Sequence, residues 1–180
     1  TICLVVRPGF SDALSRRGEV YDAVNQQDLA LQDYSTILEG NINKLDPTLL
    51  ASTYYARGSI YYRQQYFSKA RKDLYTSAKL NLDAAVWSLI GKTEKEFANT
   101  DEAVHAQEMA MELQPNNWEA VIDKAIVILE VSRWEEATEL LHSVTKQNPK
   151  AKLAYGYLGL MYISMGRPQD ALDNFYPVLK

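Results

Sequence analysis

Small residues recur along the chain with a period close to 34 residues, and this repeat limits the fold more than any other feature. One set, spaced by 34 residues, consists of Gly91, Ala125 and Gly159. A second set lies twelve residues further on and consists of Ala103, Ala137 and Ala171. Self-similarity at this period is typical of a repeat array, in which each unit buries its apolar face against its neighbours.

Each unit is predicted to form two short antiparallel helices. In the last unit, Tyr155, Leu158 and Tyr162 are spaced as on one face of a helix, and no alternation typical of a strand occurs. The small residues are expected where the two helices approach most closely. We therefore expect Ala103 and Ala137 to be fully buried between paired helices.

The period divides the chain into five units, with boundaries that proline and glycine punctuate. The units span residues 11–50, 51–83, 84–117, 118–151 and 152–180, and the first contains a loop insertion near residues 39–47. Residues 1–10 are interpreted as the tail of a truncated preceding repeat, because Pro8 precedes Gly18 by the offset at which Pro115 and Pro149 precede the next small residue. No polar capping helix follows the last unit, so further sequence is expected after it in the full-length protein.

Proline 177 is expected to kink or end the last helix near Tyr176, because proline cannot donate a helical hydrogen bond and its ring clashes with the preceding turn.

Composition excludes several classes of protein. The apolar and charged shares of 47% and 23% are those of a folded chain, which argues against disorder. A net charge of −4 argues against nucleic-acid binding. A single cysteine excludes an intrachain disulfide framework. The longest apolar run, 125–129, is too short for membrane insertion, and without a signal-peptide pattern a cytoplasmic location is expected.

The repeating pattern resembles the tetratricopeptide repeat, whose signature is W-x2-L-G-x2-Y…A-x3-F…P. The fifth unit carries this signature as Tyr155, Leu158, Gly159, Tyr162, Ala171 and Phe175. The resemblance covers residues 11–180. It implies an all-α, right-handed superhelical solenoid of antiparallel helix pairs with about five repeats.

No residue pattern in the chain predicts catalysis, a cofactor or a metal site. Gly91, Lys92 and Thr93 lack the upstream glycine of a phosphate-binding loop and fall inside a predicted helix. His105 and His142 are 37 residues apart without a nearby cysteine. The protein is therefore not expected to be an enzyme.

The resemblance implies partner binding on the concave surface, which the first helix of each pair lines. The residues at the family's groove positions that are predicted to bind a partner are Tyr55, Ser59, Tyr62, Arg63, Lys92, Lys95, Ile122, Ile126, Leu129, Leu153, Tyr157, Leu160 and Ile163. Within this set, Arg63, Lys92 and Lys95 are predicted to select an acidic or carboxylate-ended segment. The apolar members from Ile122 onward are predicted to form one stripe that a partner segment, a second copy or a following segment covers.

These features predict a protein–protein interaction scaffold, with an adaptor or assembly role in a larger complex, that binds a peptide or partner helix in its groove. The alternative is a substrate-recruiting accessory domain of a larger enzyme whose catalytic part lies elsewhere. Binding of Hsp70 or Hsp90 tails is not expected, because no frame of groove residues matches the Lys and Asn pattern of that clamp. Self-association through the C-terminal part of the groove stays open.

Overall fold

The computed structural model describes residues 8–179, which form ten α-helices and one short 3-10 helix and contain no strand. The helices are α1 (Pro8–Ala23), α2 (Gln27–Glu39), α3 (Pro47–Arg63), α4 (Phe67–Leu80), α5 (Ala84–Lys95), α6 (Thr100–Leu113), α7 (Trp118–Glu130), α8 (Trp134–Gln147), α9 (Lys152–Ser164) and α10 (Pro168–Leu179). The 3-10 helix, Ile42–Lys44, lies in the predicted loop insertion. Most of the predicted tail of a preceding repeat, residues 1–7, falls outside the described residues.

Consecutive helices pack against each other along the whole array, each odd-numbered helix most extensively against the even-numbered helix that follows it. The odd-numbered helices also touch one another, at α1–α3, α3–α5 and α5–α7, whereas no two even-numbered helices within residues 8–179 make comparable contact. The odd-numbered helices therefore form the inner side of a solenoid, and their exposed surface is called the inner face below. The predicted all-α solenoid of helix pairs is confirmed.

A small residue on the first helix of each pair packs against a residue 16 positions later on the second helix. A Cβ atom added to Gly58 would lie 3.1 Å from Leu74 Cγ, and one added to Gly159 would lie 2.4 Å from Phe175 Cε1. A Cβ atom would be tight at Gly58 and would overlap the ring of Phe175 at Gly159, so the approach requires a small residue and, at Gly159, glycine. As expected, Ala103 and Ala137 are fully buried.

The turns between paired helices share one backbone feature. In each turn a residue has a positive φ, namely Asn25, Gln65, Ala98, Ser132 and Gly166, with values from 57° to 70°. These residues occupy equivalent positions of successive repeats. Four of these five residues are not glycine, although their left-handed backbone conformation favours glycine. The geometry of the tight turn therefore outweighs the backbone preference of these residues.

Proline residues lie at one end of both α3 and α10. Helix α3 begins at Pro47, the last residue of the predicted loop insertion, because Asp46 Oδ1 accepts a hydrogen bond from Thr48 N (2.7 Å) and caps the helix. Helix α10 continues through Pro177 to Leu179 instead of ending near Tyr176. Pro177 lies in the last turn, where the loss of one backbone hydrogen bond is least costly.

Candidate functional site

Three neighbouring cavities lie on the inner face or at its edge, where the connections between repeats begin the odd-numbered helices. The first, called the Tyr62 cavity, has a volume of about 210 Å³ and is lined by Tyr62, Lys92, Lys95, Glu96, Gln107, Asp123, Ile126, Val127 and Tyr157. The second, the Tyr55 cavity, has a volume of about 230 Å³ and is lined by Tyr55, Ala85, Ser88, Leu89, Lys92, Gln114, Asn117 and Glu119. The third, the Trp118 cavity, has a volume of about 820 Å³.

The three cavities are neighbours because they share lining residues, and together they are called the trough below. Lys92 lines both the Tyr62 and the Tyr55 cavity. Gln114, Asn117 and Glu119 line both the Tyr55 and the Trp118 cavity. The Trp118 cavity lies where α7 and α9 begin, and α7 and α9 make less contact than the other neighbouring odd-numbered helices. The trough is therefore widest at this point.

The predicted groove residues differ in how far they reach solvent. Half-buried members are Tyr55, Ser59, Tyr62, Lys92, Lys95, Ile126, Leu129 and Tyr157. Exposed members are Arg63, Leu153, Leu160 and Ile163. Of the whole set, the cavities bring together Tyr55, Tyr62, Lys92, Lys95, Ile122, Ile126, Leu153 and Tyr157, whereas Ser59, Arg63, Leu129, Leu160 and Ile163 line none of these three.

Ile122 corrects the predicted apolar stripe. Its side chain is only 4% exposed and belongs to the core that α7, α8, α9 and α10 share, although it also contributes to the wall of the Trp118 cavity. The stripe is therefore interrupted at its beginning. Ile122 is buried because α7 has apolar side chains on most of its sides. More of these side chains pack into the core than the repeat pattern predicts.

The exposed end of the stripe lies on α9. Leu153, Leu160 and Ile163 are 59%, 56% and 56% exposed. The residues 34 positions before the last two, Ile126 and Leu129, are half-buried and pack against the core, because α7 has repeats on both sides. Neighbouring repeats therefore cover these positions in α7, whereas the same positions are exposed in α9.

The three predicted groove cations each pair with a carboxylate of this same chain. Arg63 Nη2 contacts Asp22, Lys92 Nζ lies 3.0 Å from Asp123 Oδ2, and Lys95 Nζ lies 3.2 Å from Glu130 Oε1. Each pair joins two odd-numbered helices. A ligand carboxylate would have to displace an internal one, so the structure does not favour the interpretation of this surface as a receptor for acidic segments.

The pKa values of two of these groups follow from their surroundings. Burial raises the pKa of the Asp123 carboxyl, although the hydrogen bond and charge of Lys92 oppose this shift. Burial would lower the pKa of Lys95, but the hydrogen bond and charge of Glu130 outweigh it, so the pKa is raised. The Asp123 carboxyl is therefore easier to protonate than an exposed aspartate, and Lys95 holds its proton more tightly than an exposed lysine, as the two pKa directions imply.

Gln107 is a groove residue that the sequence analysis missed. It occupies the position, 16 residues after the small residue, at which the other helix pairs carry Tyr34, Leu74, Leu141 and Phe175. Its side chain is fully buried and donates a hydrogen bond from Nε2 to Ser88 O (3.2 Å), while no group donates to its buried Oε1 within residues 8–179. A polar residue at an otherwise apolar repeat position was the signal that could have found it.

Metal-binding clusters and membrane-spanning helices were sought among residues 8–179. No three His, Cys, Asp or Glu side chains within residues 8–179 gather in a way that could hold a metal ion. None of the helices between Pro8 and Leu179 combines the length and the apolar character needed to cross a membrane.

Comparisons with known proteins agree with this architecture. Residues 51–83 match the sequence model of the tetratricopeptide repeat. A crystal structure of MamA has a TM-score of 0.77 at 20% identity over 90% of this chain and 92% of that chain. A crystal structure of YrrB, described as a TPR protein with an unusual peptide-binding site, has a TM-score of 0.72 at 20% identity over 92% of this chain and 83% of that chain.

Among curated proteins, the PEX5-related protein of Mus musculus is 39% identical over 70 residues. The counterpart of Homo sapiens is 36% identical over 70 residues. The match covers 39% of this chain but only 12% of the mouse protein and 11% of the human one. Together these matches confirm the resemblance to the tetratricopeptide repeat that the sequence pattern indicated.

Proposed function

We propose that this chain, which has the tetratricopeptide-repeat fold, is a protein-interaction scaffold that binds an extended peptide or a partner helix along its inner face. The observation that carries the proposal is the trough that the Tyr62, Tyr55 and Trp118 cavities form through shared lining residues. A continuous concave surface of this kind suits a linear segment better than it suits a compact small molecule.

The composition of the trough supports the same conclusion. Tyrosine side chains (Tyr55, Tyr62 and Tyr157) line its narrow part, and tyrosine offers a large contact area with a directional hydrogen bond. Carboxamides from Gln114, Asn116, Asn117 and Asn148 line its wide part. Carboxamides both donate and accept hydrogen bonds, as the backbone of an extended peptide requires.

The proposal includes an adaptor role in a larger complex, because an array that binds one partner along its inner face can hold that partner against other proteins. The peptide-binding site in the description of YrrB belongs to that protein. It supports the proposal for this chain by showing that a similar fold can carry such a site.

A selection experiment tests the proposal. A random dodecapeptide library is selected on the wild-type protein, and the binding of the enriched peptides is measured by fluorescence anisotropy. Ala85→Trp places a large side chain in the Tyr55 cavity at an exposed position and should abolish binding of the enriched peptides. Ser68→Trp, on the exposed surface of α4, is the matched control and should leave binding unchanged. Equal binding by both variants, or no enriched peptides, would contradict the proposal.

A further inference from the structure

The Trp118 cavity is the largest of the three, and its floor, formed by Trp118, Ile122 and Ala151, continues the apolar core. Trp118 and Ala151 are half-buried and pack against the core that α7, α8, α9 and α10 share, and Ile122 belongs to that core. Leu153, which is 59% exposed, lines the same cavity. Side chains that a packed core holds keep their places when a ligand arrives, so the floor is a preformed apolar surface.

The repeat itself does not require an aromatic residue at position 118. The equivalent positions of the other four units carry Ser11, Ala51, Ala84 and Lys152. Ala51 and Ala84 are buried, so a methyl group is enough for the packing of their helix pairs. The indole of Trp118 therefore adds a large aromatic surface where the fold needs little. Aromatic side chains are prominent among the few residues that supply most of the free energy of binding.

The lining of the Trp118 cavity carries no net charge. Among its residues, Glu119 has one carboxylate and Lys152 has one ammonium group. The ammonium of Lys152 also donates a hydrogen bond to Val178 O (3.1 Å), which holds it against α10. A charged ligand group would lose hydration on entering the cavity without gaining a net attraction from the lining. The neutral lining and the apolar floor therefore favour an uncharged, apolar side chain.

The backbone orients the amide groups of two asparagines that line this cavity. Asn117 Oδ1 accepts a hydrogen bond from Ala120 N (3.3 Å). Asn148 Oδ1 accepts a hydrogen bond from Lys150 N (3.2 Å). Because both carbonyl oxygens are engaged, each Nδ2 group is left as a donor, and neither donates to another group within residues 8–179. Backbone carbonyl oxygens of an extended peptide are acceptors that match these two donors.

We propose that the Trp118 cavity binds one large apolar side chain of the peptide in the trough, of the size of leucine or phenylalanine. Trp118, Ile122 and Leu153 contact this side chain, and the Nδ2 groups of Asn117 and Asn148 donate to peptide carbonyl oxygens beside it. The volume of about 820 Å³ lies within the roughly 300–1,000 Å³ of ligand cavities, so a side chain fits together with its flanking backbone. This inference rests on the proposed peptide-binding function and adds the residue type that the peptide must present.

The experiment uses the peptides enriched on the wild-type protein. Each is synthesised in its parent form and as a series in which one residue at a time is replaced by alanine, and fluorescence anisotropy gives the Kd of every form. The proposal expects the enriched peptides to share one large apolar residue. Its replacement by alanine should weaken binding by about tenfold or more, the effect of removing a side chain that supplies much of the free energy of binding.

Variants of the protein then locate the effect. Leu153→Glu places a charge in the cavity, so it should bind the parent peptide and the peptide that lacks the apolar residue with nearly equal, weak affinity. Leu160→Glu is the matched control, because Leu160 lies on the same helix with a similar exposure, 56% against 59%, but lines none of the three cavities. It should keep the preference for the parent peptide. Circular dichroism verifies that each variant is folded.

A further variant tests the amide donors separately from the apolar contact. Asn148→Asp keeps an oxygen that accepts the hydrogen bond from Lys150 N but removes the Nδ2 donor. It should weaken binding of the parent peptide and of the peptide without the apolar residue alike, by roughly fivefold, the effect of losing one hydrogen bond. The preference for the parent peptide should therefore persist in this variant.

The possible results separate this proposal from the proposed function. Peptides that bind and are blocked by Ala85→Trp, but share no large apolar residue, would overturn the apolar side-chain site and leave the groove intact. A preference for the parent peptide that persists in Leu153→Glu, or is lost equally in Leu160→Glu, would also overturn it. Unchanged affinity in Asn148→Asp would overturn the donor role of that amide. If the wild-type protein enriches no peptide, both proposals fail.

Discussion

The first two helix pairs are held together differently from the last three. In α1–α2, Arg17 donates to both carboxylate oxygens of Asp33, at 2.8 and 2.7 Å. In α3–α4, Arg57 donates to both oxygens of Asp73, at 2.7 and 3.0 Å. The equivalent positions of the later pairs carry Ile90 and Ala106, Lys124 and Leu140, and Leu158 and Asn174.

This difference shows which contact the fold requires. All five helix pairs place a small residue against a larger one 16 positions later, whereas only two add a bidentate ion pair beside it. Transfer of two charges from water into a protein is costly, and apolar replacements of a buried ion pair are often as stable. The close approach of the helices therefore defines the repeat, and the ion pair is an addition to it.

The largest effect is expected from breaking one ion pair on one side only. Arg57→Ile leaves the carboxylate of Asp73, whose side chain is 4% exposed, without its cation. We expect this variant to lose about 3–5 kcal/mol of the free energy of unfolding, measured by urea denaturation. Arg17→Ile should cost less, because the side chain of Arg17 is 56% exposed and water can replace it.

The double variant Arg57→Ile with Asp73→Ala converts this site into the arrangement of the third pair. It should recover most of the loss, to within about 1 kcal/mol of the parent, because no buried charge is left alone. If the double variant is as unstable as the single one, the ion pair is required by its helix pair and the comparison above is wrong.

A smaller effect is expected at the close approach that all pairs share. Gly159→Ala places a methyl group 2.4 Å from Phe175 Cε1, and we expect this overpacking to cost about 1–3 kcal/mol in thermal denaturation. Adding Phe175→Leu reproduces the Ala125 and Leu141 combination of the fourth pair and should restore stability. A failure of the second substitution to restore it would show that the pairs are not interchangeable.

Two turns allow opposite substitutions, alanine to glycine and glycine to alanine, at equivalent positions. Ala98 has a φ of 57° and Gly166 a φ of 70° at equivalent positions. Ala98→Gly should raise the free energy of unfolding by about 1 kcal/mol, and Gly166→Ala should lower it by about as much, because an L-residue pays a steric cost in the left-handed conformation. Chemical denaturation of both variants tests this, and shifts of the same sign would contradict it.

The smallest effect is expected for the ion pair of Arg63 with Asp22 on the inner face. Their side chains are 47% and 27% exposed, so solvent screens the interaction. Arg63→Gln should cost less than about 1 kcal/mol, and the difference should vanish in high salt. A loss as large as that of Arg57→Ile would show that exposure does not distinguish the two classes of ion pair.

The sequence predicted the architecture because the repeat period is a local property. Spacing of small residues located both helices of each pair, and the expected burial of Ala103 and Ala137 is observed. Pro47, which the sequence analysis placed at the end of the loop insertion, is the first residue of α3, because a proline can open a helix as well as end a unit. The capping contact of Asp46 shows that Pro47 opens a helix rather than ending a unit, and this contact is visible only in the structure.

The candidate site was less predictable, because its contacts join repeats. The partners of Arg63, Lys92 and Lys95 are 41, 31 and 35 residues away, and no pattern within one repeat indicates them. Residue type and family position placed the cations on the correct face but could not show that they were already paired. Gln107 could have been found by comparing the units position by position.

The inner-face ion pairs also bear on the elasticity of the array. They join α1 to α3 through Asp22 and Arg63, and α5 to α7 through Lys92 with Asp123 and Lys95 with Glu130. Stretching the coil separates the odd-numbered helices, so it must work against these pairs at two joints. The joints α3–α5 and α7–α9 have no such pair within residues 8–179. The solenoid should therefore extend unevenly. The α1–α3 and α5–α7 contacts should resist extension more than the α3–α5 and α7–α9 contacts, and this difference should shrink as salt screens the charges.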